Sequence, residues 1–346
     1  MTLMRILFVI ILLHIVSSHA AFAQTAGCKD PAATNYDPGA TINNGSCMYA
    51  PLTLTATSKA ALGSTLNENS GMVFWNDKLW MHNDGGGAAA IYEVDTTTGQ
   101  IFRTVALINA INIDWEDIAQ DDSYLYIGDF GNNGTGNRTD LKIYRVAKAE
   151  LADTTSVVAD VISFSYPQQT IGAATVNKTD YDCEAMVVKD GNIYLFTKQW
   201  TSQGTALYEI PAKPGTYGAS LLASYNVGGL ITGADIDINR NMIILSGYNF
   251  PIPTRFIYLL YDFSGNAFFA SNKRRITISG GAQTEGLAFR NPEYIYLANE
   301  SSFLGPQRLE GINLTMVLSP YLSLLPFLLP PPGLQHLRLS GSVQAE

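Results

Sequence analysis

Three glutamates recur at the same place in a repeated two-strand phrase. They are Glu116, Glu184 and Glu285, each opening a short apolar strand that is followed by an Asn/Asp/Gly turn and a second strand. The second strands end on Asp84, Asp129, Lys198, Tyr248 and Glu300, so six of these eight positions bring a carboxylate to the same level. Carboxylates crowded at one level repel and raise one another's pKa unless something neutralises them. Three chemistries fit. A Ca²⁺ or Mg²⁺ ion would take the oxygens as ligands. A pair of carboxyls would serve as general acid and base. Alternatively each Glu caps its own repeat by accepting backbone N–H groups, a role that repetition itself favours.

The phrases that carry these residues begin at positions 70, 116, 184, 234 and 285. Spacings near 50 residues with a hairpin in each point to propeller blades rather than helical repeats. A third strand follows each hairpin, at 90–94, 141–146, 206–210, 256–262 and 307–313, and a fourth follows the first four, at 101–107, 158–165, 221–227 and 273–279. The fifth phrase has no fourth strand of its own. The strand-like stretch Leu52 to Thr57 is predicted to supply it, closing the ring and removing an exposed sheet edge. The fold expected is therefore all-β, a five-bladed propeller over residues 51–314. A six-bladed ring would need a blade hidden in the longest interval or in the C-terminal tail. In a propeller the first strand lines the channel, and its start shares a face with the end of the second. That topology predicts a ring of carboxylates around one channel mouth.

The longest interval owes its length to Pro167–Asp182, a loop expected over the same mouth and carrying Lys178, Asp180, Tyr181 and Asp182. Asp84, Asp129, Tyr181, Trp200 and Glu300 are the candidate ligand-binding residues, with Trp200 a candidate sugar-stacking ring. Glu116, Glu184 and Glu285 are the candidate metal ligands, with Ca²⁺ as the candidate cofactor. The Gly128–Gly134 loop would cradle a cation through its carbonyls, whereas Gly85–Gly87 reads as a turn because no P-loop Lys or helix follows. His82 is the one His outside the leader and the tail, so a catalytic triad would depend wholly on it; its strand setting favours a structural role. Cys183 reads as a small buried hydrophobe. No catalytic residue is assigned.

The ends narrow the compartment. Arg5, the apolar run Ile6 to Val16 and Ala21-Phe22-Ala23 form a signal-peptide pattern, with cleavage expected after Ala23. A lipoprotein acylated on Cys28 is the weaker alternative, since the apolar residue expected before the Cys is missing. In an oxidising compartment Cys28 and Cys47 would bridge a module at 24–50 too poor in apolar residues to hold its shape otherwise. Its Asp30, Asp37, Asn43 and Asn44 offer oxygens to Ca²⁺, or else make Asx turns in a rigid spacer. Residues 315–346 are Leu/Pro-rich and lack alternation; an irregular tail is expected from about 316, of the kind a shifted frame would give. The net charge of −9 argues against nucleic acid, and four His with three Cys leave little for zinc chemistry.

The Cys28–Cys47 segment resembles the short Cys-bracketed repeat, likened to thrombospondin type 3 calcium repeats, of secreted proteins from type IX-secreting bacteria. The phrases Leu79-Trp80-Met81-His82-Asn83-Asp84, Asp114-Trp115-Glu116-Asp117-Ile118 and Tyr126 to Asn133 resemble a secreted propeller family of the same bacteria. That resemblance implies a propeller at or outside the cell surface and no set activity. Members commonly end in a sorting domain, which the Leu/Pro tail replaces here. Glu285-Gly-Leu-Ala is also similar to gluconolactonase and esterase-like phytase propellers, which implies metal ligands from several blades. The expectation for function is a secreted or cell-surface propeller binding a ligand (glycan, peptide or small molecule) or a divalent cation at the carboxylate-lined mouth. The alternatives are a Ca²⁺-dependent lactonase or phosphoesterase and an adhesion component. No membrane span is expected in the mature chain, and the periplasm is a second candidate compartment.

Overall fold

Five antiparallel sheets stand around a common axis, each wound outward from a channel-lining strand. The computed structural model describes residues 24–252, 254–280, 283–302 and 304–322. The proposed leader at 1–23 and the tail beyond 322 lie outside the described residues. Blade 1 comprises Asn69–Trp75, Lys78–Asn83, Ala90–Val94 and Ile101–Leu107. Blade 2 comprises Trp115–Gln120, Tyr124–Asp129, Lys142–Ala147 and Asp160–Ser165. Blade 3 comprises Asp182–Lys189, Asn192–Lys198, Thr205–Pro211 and Ser220–Tyr225. Blade 4 comprises Leu230–Asp237, Met242–Tyr248, Arg255–Tyr261 and Asn272–Ile278. Blade 5 comprises Thr284–Asn291, Tyr294–Asn299, Arg308–Asn313 and, from the start of the chain, Thr57–Ala61.

The ring is thus five-bladed and closes by pairing its ends. The closing strand is Thr57–Ala61, antiparallel to Arg308–Asn313, and not the predicted 52–57 stretch. Part of that stretch, Thr53–Leu54, instead lies parallel to the outer strand of blade 4. Single parallel strands also cover blade 1 (Ser156–Val157) and blade 2 (Gly215–Gly218). Such added strands satisfy edge N–H and C=O groups that would otherwise template association.

Tight turns explain why the hairpins form where they do. Asn76 and Asp77 both have positive φ, 52° and 58°, between Trp75 and Lys78; Asp190 and Gly191 do the same at 52° and 77°. Two successive left-handed residues match the twist of the flanking strands, and Asn, Asp and Gly tolerate that geometry best. The core lies between blades rather than within any one of them. One apolar cluster joins blades 1 and 2 (Val73, Trp115, Tyr144), the next blades 2 and 3 (Phe130, Met186, Tyr208). The remaining seams follow the same plan, with Phe268 between blades 3 and 4 and Met72 against Tyr296 between blades 5 and 1.

One expectation about the ends is corrected. Where an irregular tail was expected from about 316, Thr315–Leu322 is a helix that buries Val317 and Leu318 against blades 4 and 5. The Cys28–Cys47 disulfide forms, and its module docks on blade 4. Asp30 accepts hydrogen bonds from Tyr49 (2.8 Å) and from Tyr261 of blade 4, and Asn43 Nδ2 donates to Asn272 at 2.9 Å. The proposed module ligands are also committed. Asp30, Asp37, Asn43 and Asn44 each cap a turn through a side-chain oxygen, at 2.8–3.1 Å, as the Asx-turn reading expects.

Candidate metal centre at the channel mouth

The glutamates owe their direction to β-bulges. In blades 2, 3 and 5 the ladder register slips around Glu116, Glu184 and Glu285, leaving each as the extra residue opposite the second strand. A bulge re-aims the side chain it carries. In blade 4 the bulged residue is Thr232, two places before the Ala234 that the sequence alignment put there. In blade 1 the irregularity takes in Ser70. The ring of bulges is therefore three carboxylates and two hydroxyls.

The two residue types behave differently. Ser70 Oγ donates to the Glu116 carbonyl of the next blade, and Thr232 Oγ1 donates to the Thr284 carbonyl at 2.6 Å. These hydroxyls tie blade to blade. Among acids, the backbone-capping role belongs to Asp117 and Asp235 instead. Asp117 accepts from Met186 N (2.7 Å) and Ile118 N (2.9 Å); Asp235 accepts from Phe289 N (2.7 Å) and Ile236 N (2.8 Å). Glu116 Oε1, buried with 3% of the residue exposed, has no hydrogen-bond partner among the described residues. The expectation that each Glu caps its own repeat therefore fails at Glu116.

Glu116 sits where two sets of carboxylates meet. One oxygen each from Glu116, Asp182 and Glu184 lie within 4.8 Å of one another, all three residues buried; so do oxygens of Asp84, Asp114 and Glu116. This buried cluster of acidic residues could hold a metal ion. Its donors are all oxygen, the choice of a hard cation. Two glycines permit the crowding. A Cβ on Gly131 would stand 2.6 Å from Asp114 Cγ and closer still to Glu116 Oε1, and one on Gly85 would stand 2.8 Å from Asp114 Oδ1. The Gly131 loop is itself fixed, since Phe130 N and Gly131 N both donate to the Asp114 carbonyl at 3.1 Å.

Lys198 is the cation built into the cluster. Its Nζ lies 3.0 Å from Glu184 Oε1, with both side chains buried. Burial would depress an ammonium, but Glu184, Glu285 and Asp182 around it hold Lys198 well above its usual value. The acids move the same way for the opposite reason. Glu116 is pushed well above the carboxylate range by burial, then by Asp84 and Glu184. Asp114 is pushed up to about 7 by burial, then by Asp84. Arg138 adds a second cation, its Nη1 4.0 Å from Asp114 Oδ2, and two cations do not balance five carboxylates.

The remaining predicted residues divide. Asp84 joins the cluster directly. Trp200 reaches it through Nε1, which donates to Asp182 Oδ2 at 2.7 Å, while its ring stands 4.9 Å from Lys198 Nζ. Glu285 stays outside both sets, its Oε1 accepting from Gln283 at 2.7 Å. Glu300 lies on the Glu285 side and is pushed up to about 8 by burial, then by Glu285. Asp129 lies outside both sets, its Oδ1 2.9 Å from Arg138 and accepting from Asp114 N at 3.2 Å, while its Oδ2 is buried with no hydrogen-bond partner among the described residues. Tyr181 turns from the mouth, its hydroxyl donating to the Gln168 carbonyl and its ring against Tyr166. Asp180 is spent on the turn at Thr201 and Ser202. His82 is fully buried, with Nδ1 2.9 Å from the Asn83 carbonyl, and Cys183 is a buried free thiol.

Asp114 and Asp182 were not singled out as ligands. The signal was present as a repeated Asp-x-Glu, Asp114-Trp115-Glu116 and Asp182-Cys183-Glu184. Beside the cluster a cavity of about 310 Å³ is lined by Lys198, Trp200, Tyr248, Phe250 and Gln283, among others.

No protein-family model and no curated protein matches the sequence. Among solved structures, the chain is similar to the PQQ-bound aldose sugar dehydrogenase of Streptomyces coelicolor, at 12% identity and TM-score 0.42, over 76% of this chain and 99% of that one. It is similar to the GH43_1 enzyme of Xanthomonas citri at 11% identity and TM-score 0.42, over 75% and 89%. It is also similar to the hydrazine synthase of Kuenenia stuttgartiensis at 11% identity and TM-score 0.36, over 67% of this chain and only 56% of that one. Among the described residues no helix is long and apolar enough to cross a membrane.

Proposed function

We propose that this propeller binds a divalent cation at its carboxylate mouth, with Ca²⁺ the favoured ion, and presents it to a ligand in the adjoining cavity. The observation that carries the reading is Glu116 Oε1, buried and unpartnered where the carboxylates of Asp84, Asp114, Asp182 and Glu184 converge. Buried carboxylates without a counter-charge are costly, and a cation offsets that cost. Ca²⁺ accepts many oxygens in flexible geometry, whereas Mg²⁺ demands a near-ideal octahedron. Secretion to the outside or the cell surface fits this reading, because the Cys28–Cys47 bridge is at home in an oxidising compartment.

Calorimetric titration of the EDTA-treated full chain with Ca²⁺ tests it. One-to-one binding, lost or weakened at least about tenfold in Glu116→Gln, supports the site. Absence of heat, or binding untouched by that change, removes it.

A second reading is a cation-dependent hydrolase at the same place. It is favoured by Lys198 and Tyr248 lining the cavity beside the acids. A cation on one side and an ammonium on the other would polarise a carbonyl or phosphoryl oxygen. Ca²⁺-dependent turnover of a lactone or phosphoester, abolished by Lys198→Met, would establish it.

A further inference from the structure

We infer, on the cation reading, that the ion sits in one half of the mouth, among Asp84, Asp114 and Glu116, and that Lys198 takes the place of a second ion in the other half. The two carboxylate sets share only Glu116, so each half can be filled separately. What fills them differs.

In the half made with Asp182 and Glu184 the protein supplies its own partners. Lys198 Nζ is 3.0 Å from Glu184 Oε1. Asp182 accepts from Asn132 N through Oδ1, and from Trp200 Nε1 through Oδ2 at 2.7 Å. The three acids and Lys198 are all buried. A divalent ion bonded to the same oxygens would be pressed against an ammonium, and like charges in a buried site repel with little screening.

The half made with Asp84 and Asp114 lacks such partners. Among the described residues the Asp114 carboxylate accepts no hydrogen bond. Arg138 stands 4.0 Å from it and pairs more closely with Asp129, at 2.9 Å, and Asp140, at 3.1 Å. The Asp84 carboxylate is met only by the N–H of its neighbour Gly85. The orphan oxygen of Glu116 belongs to this half, because a Cβ on Gly131 would meet both Glu116 Oε1 and, at 2.6 Å, Asp114 Oδ2. The bare glycine keeps that space open. Asp84 and Asp114 are also only half-buried, which gives an ion and its water a way in. Ca²⁺ takes about six to eight oxygens, more than one from each of three carboxylates supplies, so positions remain for water and for an oxygen of the ligand.

The test is equilibrium dialysis of the EDTA-treated full chain against Ca²⁺, with bound metal counted per chain. The parent should bind one ion. Asp114→Asn and Asp84→Asn should each weaken it about tenfold or more, against about threefold or less for Asp182→Asn. Lys198→Met, kept in Ca²⁺ throughout so that it folds, should bind two ions, whereas Lys198→Arg should stay at one. Lys198→Gln repeats the count should the Lys198→Met protein not fold. A parent with two ions overturns the inference, as does a single ion lost in Asp182→Asn but kept in Asp114→Asn; either outcome leaves the cation reading standing. One ion in the protein without Lys198 overturns it too. A parent that binds none overturns both.

Discussion

Lys198 Nζ and Glu184 Oε1 form a buried ion pair, 3.0 Å apart, at the edge of a carboxylate cluster that outnumbers it. Removing one partner of such a pair leaves an uncompensated charge. Lys198→Met should destabilise the cation-free protein by about 3–5 kcal/mol. Added Ca²⁺ should restore more stability to the variant than to the parent, because the variant mouth is more negative. Urea unfolding with EDTA and with Ca²⁺ measures both. Equal stability of the two proteins in EDTA would show the pair to be idle.

Gly131 is a steric requirement of the site. A Cβ there would fall 2.6 Å from Asp114 Cγ and would press on Glu116. Gly131→Ala is expected to weaken cation binding about tenfold or more while leaving the far-ultraviolet dichroism of the ring intact. An unaltered calcium isotherm would mean that these two acids do not ligate.

Stability should fall as pH rises in the absence of a cation. Burial pushes Asp114 and Asp235 up to about 7, and burial with Glu285 pushes Glu300 up to about 8. These carboxyls hold their protons more tightly folded than unfolded. Below the unfolded carboxylate range both states are protonated. As pH climbs from there toward 7 and 8 the unfolded chain ionises first and is favoured. Melting of the EDTA-treated protein should therefore drop between pH 5 and pH 8, and saturating Ca²⁺ should reduce that drop. A melting temperature that rises over this interval in EDTA would refute the assignment.

The disulfide should support the N-terminal module more than the ring. It closes a loop of 19 residues, for which chain entropy gives about 3 kcal/mol. Cys28→Ser with Cys47→Ser should lower stability by that order and make residues 24–50 sensitive to protease. The closing strand Thr57–Ala61 lies beyond the module, so the ring core should resist. Proteolysis that runs into the blades would show that closure depends on the staple.

Much of this was legible in the sequence. The hairpin phrases gave the number of blades because each carries a strand, a tight Asn- or Asp-bearing turn and another strand. The blade 4 alignment slid by two residues, and for a physical reason: a two-residue shift keeps every side chain on its own face. The apolar pattern could not distinguish Ala234 from Thr232, since only the bulge does. The partners of Asp129 and Tyr181, Arg138 and Gln168, were not legible because they depend on loop contacts that spacing does not encode.

The most direct test of the account is to see the ion. Crystals soaked in Mn²⁺, an oxygen-preferring ion with usable anomalous scattering, should show a difference peak among Glu116, Asp182 and Glu184, or among Asp84, Asp114 and Glu116. No peak in crystals of Glu116→Gln should accompany it. A map of the unaltered protein without a peak at this mouth, or with one only at surface acids elsewhere, would contradict the central claim.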